Sequence, residues 1–427
     1  MTATDTIVAV SSGAPPAAIG VIRVSGPQAG SAIETLCGRR PAARRASLAR
    51  LRGDDGALLD EALVLWFPGP ATATGEDCAE FHCHGGRAVL AAVERALVAV
   101  PGLRAAEPGE FTRRAFANGR IDLAEAEGLA DLLSAESELQ RSAAISNANG
   151  ALSRRVEDWR ERLLALSAQV EAVLDFSDED DTGDLPESFT WNIAELAREI
   201  GEWLARPRAE RLGEGFRVVL AGPPNSGKST LFNALVESEA AITSPIAGTT
   251  RDVIERSVAI EGVPFSFIDT AGLREIGADA IEGIGIERAR GQLDRADCVL
   301  WLGEEGEGPQ GAWEIAARCD APDFAAKAAA RHRVSAETGE GLAALKQDLT
   351  AHARANLPKP GEAALNARQH ARLREAADAL GSAREIGDLL LVGEELRRAR
   401  LAVDRLVGRA TTEDMLDALF GRFCIGK

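Results

Sequence analysis

FRVVLAGPPNSGKSTLFNALV, residues 216–236, is an apolar β-rich run, a glycine-rich turn and a helical pattern in immediate succession. The turn, GPPNSGKST at 222–230, keeps the spacing G-x-x-x-x-G-K-[ST]. It follows a strand and precedes a helix, which is the context its chemistry requires. Gly222 and Gly227 let backbone N–H groups close round phosphate oxygens, and the helix N-terminus that follows favours negative charge. Lys228 reaches the outer phosphates and Ser229 offers an oxygen to Mg²⁺. Asn225, Ser226, Gly227, Lys228, Ser229 and Thr230 are therefore read as a nucleotide-phosphate cradle.

Further elements follow in the order that a hydrolytic switch needs. DTAG at 269–272 ends the apolar run FSFI, which puts Asp269 beside the magnesium and Gly272 where its N–H senses a γ-phosphate. Between loop and DTAG lies IAGTTRD at 246–252, whose Thr250 can complete the magnesium shell; an ordinary pair of loop threonines, Thr249 and Thr250, is the plainer reading. The base-reading signal is poorer. Ala317-Arg318-Cys319-Asp320 stands where N-K-x-D is expected, so Asp320 alone keeps its type. Ser335 and Ala336, followed by Glu337, supply the Ser-Ala pair that packs on the base. Guanine is favoured and an ATPase stays open. Leu273 occupies the place of the water-orienting glutamine of Ras-like enzymes and cannot do that work. Glu282 is near enough in sequence to supply the polar group, or is an ordinary surface glutamate.

Working outward, residues 1 to about 118 mix short β-rich runs, IGVIRVSG at 19–26 and ALVLWFPG at 62–69, with a helical stretch around 86–99. From Ile121 to Asp175 the pattern is helical, and Leu152, Val156, Trp159, Leu163, Leu166, Val170 and Val173 repeat in steps of four and three, a long helix with a packed seam. The acidic run Asp178–Asp181 and Pro186 break it, and a helical stretch follows over about 187–207. Strands and helices alternate from Phe216, implying a mostly parallel sheet, and the chain is helical again after about 355. The expected fold is multi-domain α/β plus α. An α+β domain (1–118) precedes a helical domain in two parts (119–213 and 355–427), with a P-loop domain (214–354) inserted between them.

At 427 residues and 45% hydrophobic, the chain can bury two or three cores. No apolar run of about 18 residues occurs, and MTATDTIVAV has no basic segment ahead of an apolar one, so no membrane span and a cytoplasmic location are expected. Cys37, Cys78, Cys83, Cys298, Cys319 and Cys424 are scattered, unlike a disulfide framework, and read as reduced thiols. Cys78, His82, Cys83 and His84 fit no common zinc spacing. A net charge of −18 opposes a sequence-independent nucleic-acid coat, so any RNA contact must be local. Arg39, Arg40, Arg44, Arg45, Arg50 and Arg52 do cluster, with Arg104, Arg113, Arg114 and Arg120 later; solvated surface arginine is their plain reading.

PNSGKST, AGTTRD, DTAGLRE with IGIER, IGVIRVSGP, TGED with HGG at 74–86, PGEFTRRAFANGRIDLAEAE at 108–127 and the terminal FCIGK together resemble the MnmE (TrmE) family across essentially the whole chain. The resemblance implies a homodimeric, potassium-stimulated GTPase. With the flavoprotein MnmG, in a heterotetramer, it adds aminomethyl-type groups to carbon 5 of the wobble uridine of certain tRNAs. The one-carbon unit comes from a tetrahydrofolate, 5-formyl- or methylene-tetrahydrofolate. The 1–118 domain would then bind folate and dimerise. By the same resemblance, Asn225, Ser244, Ile246 and Thr249 hold K⁺, Ser229 and Thr250 hold Mg²⁺, and Glu282 is catalytic. Pro245, Ala247, Gly248, Thr270 and Ala271 join the GTP-binding set, and Arg23, Glu80, Arg120 and Lys427 the folate set. Cys424 matches the near-terminal cysteine tied to the modification reaction, or is an inert thiol. Glu337, where many relatives carry lysine, and the altered motif at Asp320 are departures that weaken guanine selectivity.

Two other classes compete. An Era-like ribosome-assembly GTPase would need a basic RNA-binding domain after the nucleotide domain, where an acidic helical segment ending in FCIGK stands instead. A folate-dependent transferase with a vestigial nucleotide site is opposed by the intact loop at 222–230.

Overall fold

The computed structural model describes residues 5–175, 185–237, 240–241, 254–269, 291–322, 324, 326–409, 413–421 and 423–426. They form two compact units, Met1–Ala130 with Asp404–Lys427, and Asp131–Val403. In the first, β1 (Thr6–Val10), β2 (Ile19–Ser25), β3 (Ser47–Arg52), β4 (Leu58–Phe67), β5 (Cys78–His84) and β6 (Leu103–Ala105) make one sheet, in the order β3-β4-β5-β2-β1-β6. Neighbours are antiparallel except β1 and β6. Side chains alternate across a strand, and here alternation sorts apolar from polar. Ile22, Val24, Ala79, Phe81, Val64 and Trp66 pack with α1 (Ala29–Cys37) and α2 (Arg87–Val98). Arg23, Ser25, Glu80 and His82 fall on the opposite face, where α3 (Glu110–Ala117) lays Phe111 against Ile7 and Ala9. The sequence signalled only α2; α1 was legible in the i, i+3, i+4, i+7 spacing of Ala29, Ala32, Ile33 and Leu36.

The helical run from 121 to 175 is three helices, α4 (Leu123–Ser134), α5 (Glu138–Ala148) and α6 (Ala151–Asp175). A capping box starts α5: Gln140 N donates to Ser137 Oγ (3.3 Å), and Ser137 N donates to Gln140 Oε1 (2.8 Å). The expected seam lies on α6, where Leu152, Val156, Trp159, Leu163, Leu166 and Val170 are buried. Trp159 meets Trp203 of α7 (Ser188–Leu204) edge-on at 5.8 Å. The acidic run at 178–181 lies outside the described residues. After α8 (Glu210–Glu214) come β7 (Phe216–Ala221), α9 (Lys228–Val236), β8 (Ala240–Ala241), β9 (Ile254–Ile260), β10 (Val263–Asp269), β11 (Cys298–Trp301), β12 (Trp313–Ala316) and β13 (His332–Arg333). These strands order β13-β12-β11-β7-β10-β9-β8. β10, β7, β11, β12 and β13 run parallel, and β9 is antiparallel to β10 and β8. β7 lies between β10 and β11, so the chain leaves it towards opposite halves of the sheet, and the crevice beyond its carboxyl end is the place where such folds bind ligands. α10 (Leu342–Asn356) buries Leu345, Leu349 and Ala353 in the same core, and α11 (Ala367–Glu385) packs along α7.

α12 (Leu389–Leu406) leads back to the first unit, where α13 (Glu413–Phe420) ends. Leu419, Phe420 and Phe423 pack with Leu123 and Ala126. Gly109, at φ 70, opens α3 with the Phe420 carbonyl where a Cβ would stand. Gly109→Ala therefore adds a left-handed alanine, about 1–2 kcal/mol, to a clash with backbone. Amide-hydrogen exchange across 413–421 should quicken by roughly tenfold or more, while exchange in β7 and β10 stays unchanged.

Candidate functional site

β7 delivers the chain to Gly222, and the loop then passes through left-handed backbone at Asn225 (φ 61) and Gly227 (φ 93) before α9 begins. Such a sequence of conformations turns successive N–H groups towards one concavity, a built anion cradle. A Cβ on Gly222 would meet the backbone of Leu302 and Gly303 at 3.0–3.1 Å, so the loop is pressed against the end of β11. Ser226 Oγ is buried without a hydrogen-bond partner, a cost of about 1–3 kcal/mol that a phosphate oxygen would relieve. Lys228 is buried and donates from Nζ to the Pro223 carbonyl at 2.6 Å. Ser229 Oγ donates to Asp269 Oδ2 at 2.6 Å, and Asp269 is 1% exposed at the end of β10, whose register sets it opposite Leu220 of β7. Paired hard oxygens beside a phosphate cradle fit Mg²⁺. Thr230 is exposed on the first turn of α9. Ser244, Pro245, Ile246, Ala247, Gly248, Thr249, Thr250, Thr270, Ala271, Gly272 and Glu282 lie outside the described residues.

The altered base motif leaves β12 in the same crevice. Arg318 is left-handed (φ 58), and its Cγ would stand 3.3 Å from a Cβ on Gly227. The Ser335 hydroxyl hydrogen-bonds the Asp320 carboxyl and, with Asp320's own backbone N–H and the nearby Arg318 charge, holds it below the usual range. Ser335 is fully buried and also accepts from Thr338 N at 3.1 Å, while Ala336 is half-buried and Glu337 exposed. The loop bearing Ser335 follows β13, which is tied to α10 by Asp348: Arg331 Nε and His332 Nε2 both lie 2.8 Å from it. The Arg331 guanidinium is also 3.8 Å over the Trp313 ring.

On the polar face of the first sheet, Arg23 Nε and Nη2 donate to Glu80 Oε1 at 3.1 and 3.0 Å, and His82 Nε2 lies 3.2 Å from Glu80 Oε2. The Arg23 guanidinium is 5.9 Å over the Phe111 ring. Gly426 lies against the Val10 carbonyl and Ser11, next to Ala9, the register partner of Arg23. Cys424 is exposed between buried Phe423 and Gly426, and Lys427 lies outside the described residues. Arg120 is exposed, its stem beside Gly75; among the described residues it makes no ion pair with Glu80. Cys78 and Cys83 are buried, and His84 hydrogen-bonds Asp60 at 2.7 Å.

The family model of the MnmE helical domain matches residues 123–424, and the one described as GTP-binding protein TrmE N-terminus matches residues 6–120. The chain belongs to the MnmE family. The tRNA modification GTPase MnmE of Erythrobacter litoralis (strain HTCC2594) is 66% identical over 423 residues, spanning 99% of this chain and 100% of the relative. That of Novosphingobium aromaticivorans is 63% identical over 436 residues, spanning 99% and 100%. That of Rhizorhabdus wittichii is 58% identical over 428 residues, spanning 100% and 97%.

In this MnmE family member, sequence reasoning missed His82, Phe111 and Arg318 as neighbours of the sites. The period of two along β5, which puts His82 on the face of Glu80, was the available signal for the first. Asp348 yields a pH test. Its carboxyl lies at about 2 rather than 3.8, chiefly through the Arg331 hydrogen bond and then His332, against the upward push of burial. A depressed carboxyl stabilises the fold above its unfolded value and loses that contribution as pH falls through the folded one. Asp348→Asn should therefore melt below the wild type at pH 7, with the gap in midpoint, followed by circular dichroism, narrowing as pH falls from about 4 towards 2.

Proposed function

We propose that the protein is a GTP hydrolase of tRNA modification whose nucleotide cycle gates chemistry at carbon 5 of the wobble uridine. The observation that carries the hydrolase half of this reading is the Ser229–Asp269 contact of 2.6 Å at the carboxyl ends of parallel strands, beside the phosphate loop, and membership of the MnmE family supports the tRNA half. The N–H groups of the loop and Lys228 bind and orient the phosphates. Ser229 and Asp269, with Thr250, would hold Mg²⁺, which supplies positive charge where the transferred phosphoryl group gathers negative charge. Asp320, kept ionised by Ser335, accepts hydrogen bonds from the guanine edge, and Ala336 lies beside the base. Glu282 orients the attacking water in the place left by Leu273. Asn225, exposed and left-handed at the rim of the loop, would hold K⁺ with Ser244, Ile246 and Thr249, adding charge beside the phosphates.

The second half of the reading is folate-dependent. The half-buried Glu80 carboxylate, with Arg23 beside it, suits the ring N–H and amino group of a folate's pterin, and Arg120 and Lys427 suit the folate's glutamate carboxylates. The folate would supply a one-carbon unit at formyl or methylene level. Cys424 serves the modification step, carried out as a homodimer with the flavoprotein MnmG on tRNA in the cytoplasm. The domain limits at 118, 213 and 354 belong to the same proposal. No helix among the described residues is long and apolar enough to cross a membrane.

GTP turnover by the purified protein in potassium and in sodium buffers of equal ionic strength tests this directly. Potassium should raise kcat at least tenfold, Asn225→Ala should abolish that increment, and Ser229→Ala should cost about 100-fold or more in either salt. Equal rates in the two salts would remove the potassium role, and a preference for ATP would overturn the guanine assignment.

A further inference from the structure

We infer that the arginine loop after α1 is a docking site for the phosphodiester backbone of tRNA, an inference that rests on the tRNA reading above. Residues 38–52, GRRPAARRASLARLR, hold six arginines (39, 40, 44, 45, 50 and 52) and no acid, in a chain of net charge −18. The structure separates these arginines by what holds them. Arg44 is left-handed (φ 59); its N–H donates to the Trp66 carbonyl at 2.8 Å and its guanidinium to the Ala71 carbonyl. Arg40 lies 4.9 Å over the Trp66 ring, pairs with Glu34 at 3.1 Å, and rests against α1 where a Cβ on Gly30 would be. Arg50 pairs with Glu61 at 2.6 Å, and Arg52 donates to the Gly56 carbonyl at 2.8 Å. Arg39 and Arg45 are exposed, and neither guanidinium has an ion-pair or hydrogen-bond partner among the described residues.

A loop whose shape is fixed by two anchored arginines thus presents two unpaired ones. Beside Arg39 a cavity of about 230 Å³ is lined by Arg39, Arg40, Cys37, Ser47 and Val64. Two of its lining side chains are cationic, and it sits next to edge strand β3 rather than on the Arg23–Glu80 face. The planar fork of arginine matches phosphate oxygens two at a time. The surrounding acids, Glu34 and Glu61, are occupied by Arg40 and Arg50 and do not neutralise the free pair. In a strongly acidic molecule such a patch concentrates the attraction for a polyanion in one place, which fits a backbone contact that positions RNA without reading its sequence.

The test is binding of a fluorescently labelled, unmodified tRNA transcript to the full-length protein across a salt series. Wild type is compared with Arg39→Gln/Arg45→Gln and with the charge-keeping Arg39→Lys/Arg45→Lys. The glutamine pair should weaken binding about tenfold and flatten the slope of log K against log salt by about 2. The lysine pair should keep the slope and lose part of the affinity. GTP turnover and melting temperature should not change in either variant. Wild-type binding with an unaltered slope in the glutamine pair overturns the location alone, whereas a wild type that binds no tRNA overturns the tRNA reading beneath it. Loss of binding to phosphatidylglycerol vesicles with tRNA affinity intact overturns the proposal in favour of an anionic membrane surface.

Discussion

The end of β7 is where the second unit is most constrained. Three backbone demands meet there: left-handed φ at Asn225 and Gly227, no room for a side chain at Gly222, and the first N–H groups of α9 needing acceptors. The second demand is set by β11, which runs parallel on one side and brings Leu302 and Gly303 against the loop, and Arg318, from the end of β12, comes close to Gly227; glycine answers at both positions. On the other side β10 brings Asp269 to Ser229. Each neighbour of β7 therefore contributes at its carboxyl end, and the parallel arrangement follows from the need to converge.

The first unit solves a different problem. Its sheet hides one face under two helices and leaves charged groups on the other, and Arg114, 6% exposed, is held there among carboxylates. Burial works against the guanidinium, yet its protonation is favoured on balance, first through Glu110 and then Glu76. Burial likewise pushes the Glu110 carboxyl up, and the hydrogen bonds from Arg104, the Glu107 backbone and Arg114 outweigh it. Charge–charge contacts of 2.9–3.2 Å to Asp5, Glu110 and Glu76 compensate desolvation on both sides. Ser25 continues the network to Thr74 and Glu76 at 2.7 Å, two residues along β2 from Arg23. The half-buried Arg23–Glu80 pair thus stands on a rigid polar floor.

Much of this was legible in the chain. The phosphate loop announced its strand and helix because its chemistry needs both, and the seam of α6 announced itself by period. The breaks before α6 were less visible, since the capping box at Ser137 and Gln140 is a local signal inside an otherwise continuous helical texture. What the sequence could not carry was tertiary. Nothing in Ala317–Asp320 says that Arg318 rests on the phosphate loop, and nothing in PGEFT says that Phe111 meets Arg23. Those contacts arise from strand order and register, which pair residues tens of positions apart.

The seat of Gly426 against Val10 has a consequence for how the protein is made. The two residues are separated by 426 − 10 = 416 positions, so this contact forms only after the intervening chain has been made, long after β2 and β6 can flank β1. At about 5–20 residues per second that interval is roughly 20–80 s. Throughout it, β1 has its strand partners but not the C-terminal segment that later closes against Val10 and Ser11, and a polypeptide abandoned midway by the translation machinery never acquires that contact.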